Sequence, residues 1–95
     1  MGKRVGIIGA GEVGSNLTKA LNKEDYELIV VDINPHKIRK INEKYDVSVI
    51  EGDGASQRVL QEIDIESLDF FMALTRIDEV NLVASRMAKK MGADK

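Results

Sequence analysis

Residues 5–14 read Val5-Gly6-Ile7-Ile8-Gly9-Ala10-Gly11-Glu12-Val13-Gly14, and this stretch decides the fold. Its apolar start predicts a short strand buried on both faces. From Glu12 onward, apolar residues recur at helical spacing, which predicts a helix. A G-x-G-x-x-G motif between a strand and a helix is typical of a loop that holds a diphosphate at the helix N-terminus. The alternative is a strand-to-helix turn that merely tolerates glycine.

Three more strand-and-helix units follow along the chain. Apolar runs predict strands over residues 5–8, 28–31, 47–50 and 70–74. The helices are predicted to begin at Glu12, at Pro35, near Ala55 and at Asp78. Their predicted buried faces, in the same order, are Val13, Leu17, Ala20 and Leu21; Ile38 and Ile41; Val59, Leu60 and Ile63; and Leu82, Val83, Met87 and Met91. Strands that alternate with helices across short connections imply a parallel sheet with helices on both faces. We therefore predict an α/β fold, a Rossmann-like doubly wound parallel sheet with strand order 3-2-1-4 and a site between strands one and four.

Length and composition limit the classes of protein. Ninety-five residues form a single domain, residues 1–95, which is too short for separate cofactor and substrate domains. With 43% hydrophobic and 32% charged residues and a net charge of −2, the chain is expected to be globular, with no nucleic acid as partner. It has no cysteine, and its first apolar segment is too short for a signal peptide or a membrane span, so a cytoplasmic location is expected.

An acidic residue follows the second predicted strand at the spacing typical of dinucleotide-binding folds. Asp32 lies 21 residues after Gly11, close to the roughly 20 residues at which a carboxylate meets the adenosine ribose. It would accept hydrogen bonds from a ribose diol and repel a 2′-phosphate, which favours NAD(H) and disfavours NADP. ATP, ADP and AMP present the same diol and remain alternatives. Lys37 and Arg39 lie just downstream and weaken the case against NADP, and a solvated strand-end residue is the competing interpretation of Asp32.

Two further loops are expected to complete the pocket. Residues 52–55 follow the third strand and could form an adenine wall in which Asp53 accepts from the exocyclic amine; a plain turn is the alternative. Thr75 ends the fourth strand opposite the glycine loop and could donate to a phosphate or a ribose; a helix-capping threonine is the alternative. Glu12 would repel a phosphate, so we expect its side chain to point to solvent.

The sequence contains no set of side chains typical of catalysis. There is no Cys-His or Ser-His pairing, the single histidine, His36, is expected at the surface, and the carboxylates are scattered without metal-ligand spacing. We therefore expect neither an enzyme nor a metal site. A ligand-sensing regulatory domain and the cofactor-binding portion of an NAD-dependent oxidoreductase are the two leading hypotheses, and a scaffold without ligand binding is a third.

Four segments together resemble the TrkA N-terminal domain family, also called RCK N-terminal domains. They are G-A-G-E-V-G at 9–14, V-V-D at 30–32, E-G-D-G-A at 51–55 and A-L-T-R-I-D-E-V-N at 73–81. Family members are cytosolic regulators of Trk, Ktr and related potassium transporters and channels. The resemblance therefore implies a regulatory Rossmann domain that binds NAD(H) or an adenine nucleotide and signals its occupancy to a membrane partner.

The resemblance also assigns roles to single residues. It matches the three loop glycines to the phosphate site, Asp32 to the ribose-binding acid, Asp53 to the adenine side and Thr75 to a contact on strand four. It matches Asp78, Glu79 and Asn81 to a family motif without assigning a ligand contact to each. The predicted cofactor-binding residues are Gly9, Ala10, Gly11, Glu12, Val13, Gly14, Asp32, Ile33, Asp53, Gly54, Ala73, Leu74 and Thr75.

Family domains continue into a fifth and a sixth strand, and a second ligand-binding domain often follows. The resemblance thus implies a fold truncated after its fourth β-α unit: a fragment, an engineered minimal domain, or a piece that pairs with a separate chain. Strand four would then be a bare apolar edge, which favours pairing with another chain. We expect a homodimer or a higher oligomer formed through strand four or helix four.

Overall fold

The computed structural model describes residues 3–93. These residues form β1 (Lys3–Ile8), α1 (Glu12–Asn22), β2 (Tyr26–Asp32), α2 (Pro35–Lys44), β3 (Ser48–Glu51), α3 (Gln57–Glu62), a 3-10 turn (Ile65–Ser67), β4 (Phe70–Ala73) and α4 (Asp78–Lys90). The strands are parallel and lie in the order β3-β2-β1-β4. The predicted Rossmann-like α/β fold is therefore confirmed, and the direction of winding reverses between β1 and β4.

The sheet has an apolar layer on each face, because successive side chains of a strand point to opposite sides. Ile7 packs with Val30 and with Ile41 of α2 on one face. Its neighbour Ile8 packs with Val31 on the other face, which α3 and α4 cover. These four strand residues are at most 1% exposed, which confirms that the central strands are buried on both sides.

Local residues explain where α2 begins and where α4 ends. The Oδ1 atom of Asn34 accepts a hydrogen bond from the His36 N–H at 2.9 Å, and Pro35 occupies the first helical position. At the other end of the chain, α4 stops at a turn in which Gly92 has a φ of +108°. Both helix boundaries therefore depend on residues next to them in the sequence.

The buried face of α1 differs from the prediction, since Val13 and Ala20 are exposed while Gly14 and Thr18 are buried. The cause is a close approach: a Cβ at Gly14 would overlap the carbonyl oxygen of Gly9. Because of that contact, the face of α1 that contains Gly14 and Thr18 packs against the sheet. The Thr18 hydroxyl donates to the Gly14 carbonyl at 2.8 Å, so its burial leaves no polar group unpaired.

The buried face of α4 also differs, because Leu82 and Val83 are exposed and Ala84 and Ala88 are buried. The two alanines are 0% and 1% exposed, and their small side chains allow the helix to pack closely on the core. Of the predicted stripe, the two methionines pack against the core. None of the helices between Lys3 and Ala93 is both long enough and apolar enough to cross a membrane.

Several predicted boundaries shift by one or two residues: β1 and β2 each begin two residues earlier than predicted, and β2 and β3 each end one residue later. The strand β3 begins at Ser48, one residue late, and β4 ends at Ala73, one residue early. The helix α3 begins at Gln57 rather than near Ala55. The delay has a local cause: the Ser56 N–H donates to the Asp53 carbonyl at 3.0 Å, which closes a turn ahead of the helix.

Candidate functional site

A cleft of about 520 Å³ lies at the carboxyl ends of the strands, at the point where the winding reverses. Small-molecule sites in proteins occupy roughly 300–1,000 Å³ and favour this place in open α/β sheets. The cleft is lined by Ile8, Gly9, Gly11, Glu12, Val13, Val31, Asp32, Ile33, Lys37, Gly52, Asp53, Gly54, Leu74, Thr75, Arg76, Ile77 and Val80. Loops after all four strands contribute to it.

Most of the predicted site residues lie in this cleft, but Ala10, Gly14 and Ala73 do not line it. Ala10 is 5% exposed and belongs to the apolar layer beneath the loop. Gly14 is buried where α1 meets the loop, and Ala73 packs against the opposite layer. These three positions support the cleft from behind, because a strand or helix presents only some of its consecutive residues to one side.

The three glycines of the motif have different environments. Gly9 has a φ of +114°, and a Cβ there would lie 2.8 Å from the Leu74 carbonyl oxygen. Gly14 has no room for a Cβ, as described above. Gly11 has an ordinary φ of −75°, and its Cβ would meet the Lys37 Nζ at 3.8 Å, a normal contact distance. The fold therefore requires glycine at positions 9 and 14 but not at position 11.

The first turn of α1 faces the cleft without a side-chain cap. Gly11 is the N-cap residue and supplies no side-chain hydrogen bond, so the first N–H groups of the helix are available to a ligand. The positive end of the helix dipole favours an anion at this place. Glu12 is exposed, as expected, although it also lines the rim of the cleft.

The carboxylate of Asp32 is bound to the glycine loop. Its Oδ2 accepts from the Ala10 N–H at 2.7 Å, and its Oδ1 accepts from the Asn34 N–H at 2.8 Å. The Asp32 carbonyl in turn accepts from the Gly52 N–H at 2.9 Å. Asp32 is thus more than a solvated strand-end residue: it joins the loops after β1, β2 and β3, and each carboxylate oxygen keeps a further lone pair for a ligand hydroxyl.

Asp53 and Gly54 form the side of the cleft that follows β3. The Oδ1 atom of Asp53 accepts from the Ala55 N–H at 2.8 Å, so this carboxylate both organises its turn and lines the cleft. Gly54 is buried, and a Cβ there would overlap the side chain of Ile8. The turn therefore packs directly on the end of β1.

Thr75 and Asn81 form a hydrogen-bonded unit on the β4 side of the cleft. The Thr75 hydroxyl donates to Asn81 Oδ1 at 2.6 Å, the Thr75 N–H donates to the same atom at 2.9 Å, and the Asn81 amide donates to the Thr75 carbonyl at 2.9 Å. The Thr75 hydroxyl oxygen also accepts from the Ile77 N–H at 3.2 Å within the loop before α4. Ile77 is the N-cap residue of α4 and has no side-chain cap, so Thr75 is not a helix-capping threonine. Donation from Thr75 to a ligand would require the bond to Asn81 to open.

Arg76, Ile77 and Val80 line the cleft but were not among the predicted binding residues, whereas Val13 and Ile33 were. Ile33 and Ile77 are 70% and 58% exposed and stand at the rim with Val13, which is 61% exposed. Exposed apolar side chains grouped at a cleft are typical of a ligand groove. Lys37 and Arg76 bring positive charge to the same cleft. The sequence analysis placed Lys37 just downstream of Asp32 as a nearby cation but did not predict that it lines the cleft.

Residues 5–95 match the TrkA-N domain family. The chain belongs to that family. This TrkA-N domain is 35% identical over 94 residues to the Trk system potassium uptake protein TrkA of Vibrio alginolyticus, a match covering 98% of the chain and 20% of the relative. It is 38% identical over 94 residues to the protein of the same name from Halomonas elongata, with the same two shares. The domain therefore spans about a fifth of the length of these relatives.

Solved structures share the fold of this TrkA-N domain. The NAD(P)-binding domain of an exopolyphosphatase-related protein from Archaeoglobus fulgidus superposes with a TM-score of 0.82 at 17% identity, covering 97% of this chain and 68% of that one. The enzyme WbmG of Bordetella bronchiseptica, solved with NAD and UDP, has a TM-score of 0.77 at 21% identity, covering 98% and 36%. At these identities the likeness establishes the fold alone.

Proposed function

We propose that this TrkA-N domain is a non-catalytic, ligand-sensing part of a potassium uptake system or potassium channel, and that it binds NAD(H) in the cleft. ATP, ADP and AMP are alternative ligands because they carry the same adenosine. The domain would act at the cytoplasmic face of the membrane, where a transporter or channel subunit is its partner. The two relatives described above are potassium uptake proteins, which supports this assignment.

The ligand assignment rests on one observation: position 11 is a glycine although the fold does not require one there. A fold-required glycine has a positive φ or no space for a Cβ, and Gly11 has neither feature. A side chain at this position would instead occupy the space in front of the uncapped helix N-terminus. The presence of glycine at position 11 is explained if a diphosphate approaches the backbone at this point.

The remaining parts of the cleft suit an adenosine. Asp32 stands beside the glycine loop, with lone pairs for the two ribose hydroxyls. Ile33 offers an exposed apolar surface against which an adenine ring can pack, and Asp53 lies on the same side of the cleft. A 2′-phosphate would meet the Asp32 carboxylate at close range, so NADP(H) is a poor ligand.

Regulation by this domain requires a difference in affinity between two states of the assembly. A nucleotide shifts the equilibrium between two arrangements only by the ratio of its affinities for them. The cleft wall formed by Thr75 runs directly into α4 through the hydrogen bonds with Asn81. A ligand bound in the cleft can therefore affect the position of α4, a helix with an exposed apolar side.

Calorimetric titration with NAD⁺, NADH, ATP, ADP, AMP and NADP⁺ tests the assignment. We expect at least one adenosine ligand to bind, with NADP⁺ more than about tenfold weaker than NAD⁺ because like charges meet at Asp32. In Asp32→Ala we expect NAD⁺ to weaken and the preference over NADP⁺ to disappear. Glu51→Ala is the matched control, since Glu51 is an exposed carboxylate at the end of β3 that does not line the cleft.

Two results would contradict the proposal. If the folded protein binds none of the six nucleotides, the cleft is not an adenosine site. If NADP⁺ binds as tightly as NAD⁺ to the unmodified protein, Asp32 does not face the ribose. Hydride transfer between NAD(H) and a 2-hydroxy acid or an aldehyde would instead support the oxidoreductase hypothesis.

A further inference from the structure

The backbone of Lys37 is held beside the cleft by hydrogen bonds. It lies in the first turn of α2, whose N-terminus is held by Asn34: the Oδ1 atom of Asn34 accepts from the Lys37 N–H at 3.4 Å. Asn34 is in turn bound through its own N–H to Asp32. The Lys37 side chain is half-buried and lines the cleft. The backbone of Lys37 is therefore connected through Asn34 to Asp32, the residue that joins the cleft loops.

The ammonium group of Lys37 stands at the glycine loop. Its Nζ lies 3.8 Å from the place where a Cβ of Gly11 would be, which is the space assigned above to a diphosphate. Ion pairs within residues 3–93 all involve Arg4, so none of them uses the charge of Lys37. The neighbouring carboxylate of Asp32 is already engaged by two backbone N–H groups.

The charge around the cleft makes this ammonium important. Three carboxylates line the cleft, those of Glu12, Asp32 and Asp53, against two cations, Lys37 and Arg76. An anionic ligand must enter a cleft whose lining is already net negative. A cation beside Gly11 offsets that repulsion at the place where the helix dipole also favours an anion.

We propose that Lys37 is a phosphate-binding residue of the cleft, whose ammonium pairs with the 5′-phosphate groups of an adenine nucleotide held at Gly11. The inference rests on the function proposed above and specifies which chemical group of the ligand the cation recognises. In this arrangement the ammonium faces the glycine loop and not a ribose 2′-phosphate, and the carboxylate of Asp32 takes the ribose side. Lysine serves here as a compact point charge with rotatable donors.

The test compares ligands that differ in phosphate. Unmodified protein and Lys37→Gln are titrated calorimetrically with adenosine, 2′-AMP and ADP at low and at high salt. We expect ADP to bind about tenfold more weakly to Lys37→Gln at low salt, with adenosine unchanged and a smaller loss of ADP affinity on adding salt. Lys37→Arg should retain most of the affinity. Arg39→Gln removes an exposed cation of the same helix that does not line the cleft, and it should bind ADP normally.

Three outcomes overturn the assignment. The first is an unchanged affinity for ADP in Lys37→Gln. The second is an affinity for adenosine that falls as much as that for ADP, and the third is an affinity for 2′-AMP that falls more than either. Thermal melting of each variant without ligand confirms that the fold is intact. If the unmodified protein binds neither adenosine nor ADP, the proposed function fails as a whole. If it binds both and Lys37→Gln makes no difference to ADP, the role of Lys37 alone is refuted.

Discussion

The contrast between Gly11 and Gly14 predicts opposite effects for one substitution. A methyl group at position 14 would overlap the Gly9 carbonyl oxygen, and backbone cannot move aside as a flexible side chain can. Overpacking of this kind costs about 1–3 kcal/mol or more. For a domain of this size each kcal/mol lowers the melting temperature by roughly 4–8 °C. We expect Gly14→Ala to melt at least about 4 °C below the unmodified protein.

Gly11→Ala should leave the free protein nearly unchanged. Its methyl group meets the Lys37 Nζ at 3.8 Å and no other atom closely. Alanine is a poorer N-cap than glycine by about 0.5–1 kcal/mol, but it also restricts the unfolded chain, which stabilises by about 0.4–1 kcal/mol. The two terms nearly cancel, so the melting temperature should change by less than about 4 °C. Nucleotide affinity should fall at least about tenfold, because the methyl group stands between the backbone and the diphosphate.

Thermal melting followed by circular dichroism and calorimetric titration together decide the matter. Unchanged nucleotide affinity in Gly11→Ala would refute the reasoning, since the space above Gly11 would then serve no ligand. A Gly14→Ala protein that melts like the unmodified one would show that α1 does not approach the loop so closely. A Gly11→Ala protein that binds weakly but also melts far lower would remove the distinction between the two glycines.

Two further predictions concern the β4 side of the molecule. Asn81→Ala removes the hydrogen bonds to Thr75, so we expect a loss of about 1–3 kcal/mol in the free energy of unfolding and faster hydrogen exchange at the Thr75 amide; unchanged exchange would contradict this role. Sedimentation at high concentration should detect a dimer or higher oligomer, because β4 is an edge of the described sheet with partly exposed aromatic residues, and a monomer at all concentrations would exclude pairing through this edge.

The sheet could be predicted from the sequence because its signals are local and repeated. The apolar run at residues 28–31 ends at Asp32, and the signals at Asn34 and Pro35 each require only neighbouring residues. The order of the strands follows from the handedness of parallel crossovers once four β-α units are recognised. Asp32 itself could be predicted because its position depends only on the spacing from the glycine loop.

The cleft lining could be predicted less well because it depends on contacts between distant segments. Lys37 reaches Gly11 across the end of the sheet, and no spacing rule states where a long flexible side chain will point. Thr75 and Asn81 belong to one recognised motif, yet their mutual hydrogen bonds appear only when the loop after β4 folds back onto α4. The sequence identified the residues of this motif without the partners of their polar atoms.

The helix face of α1 that was predicted wrongly has its origin in the site, whereas that of α4 does not, because Leu82 and Val83 do not line the cleft. The large hydrophobic residues exposed in residues 3–93 are Val13, Ile33, Ile77, Leu82 and Val83, and the first three line the cleft. Periodicity assigned Val13 to the core, but the approach of Gly14 to the loop turns it outward to the rim. Natural sequences depart from their local patterns mainly where function intervenes. An apolar residue that the fold leaves exposed at the cleft is therefore itself evidence for the flat, apolar part of a ligand.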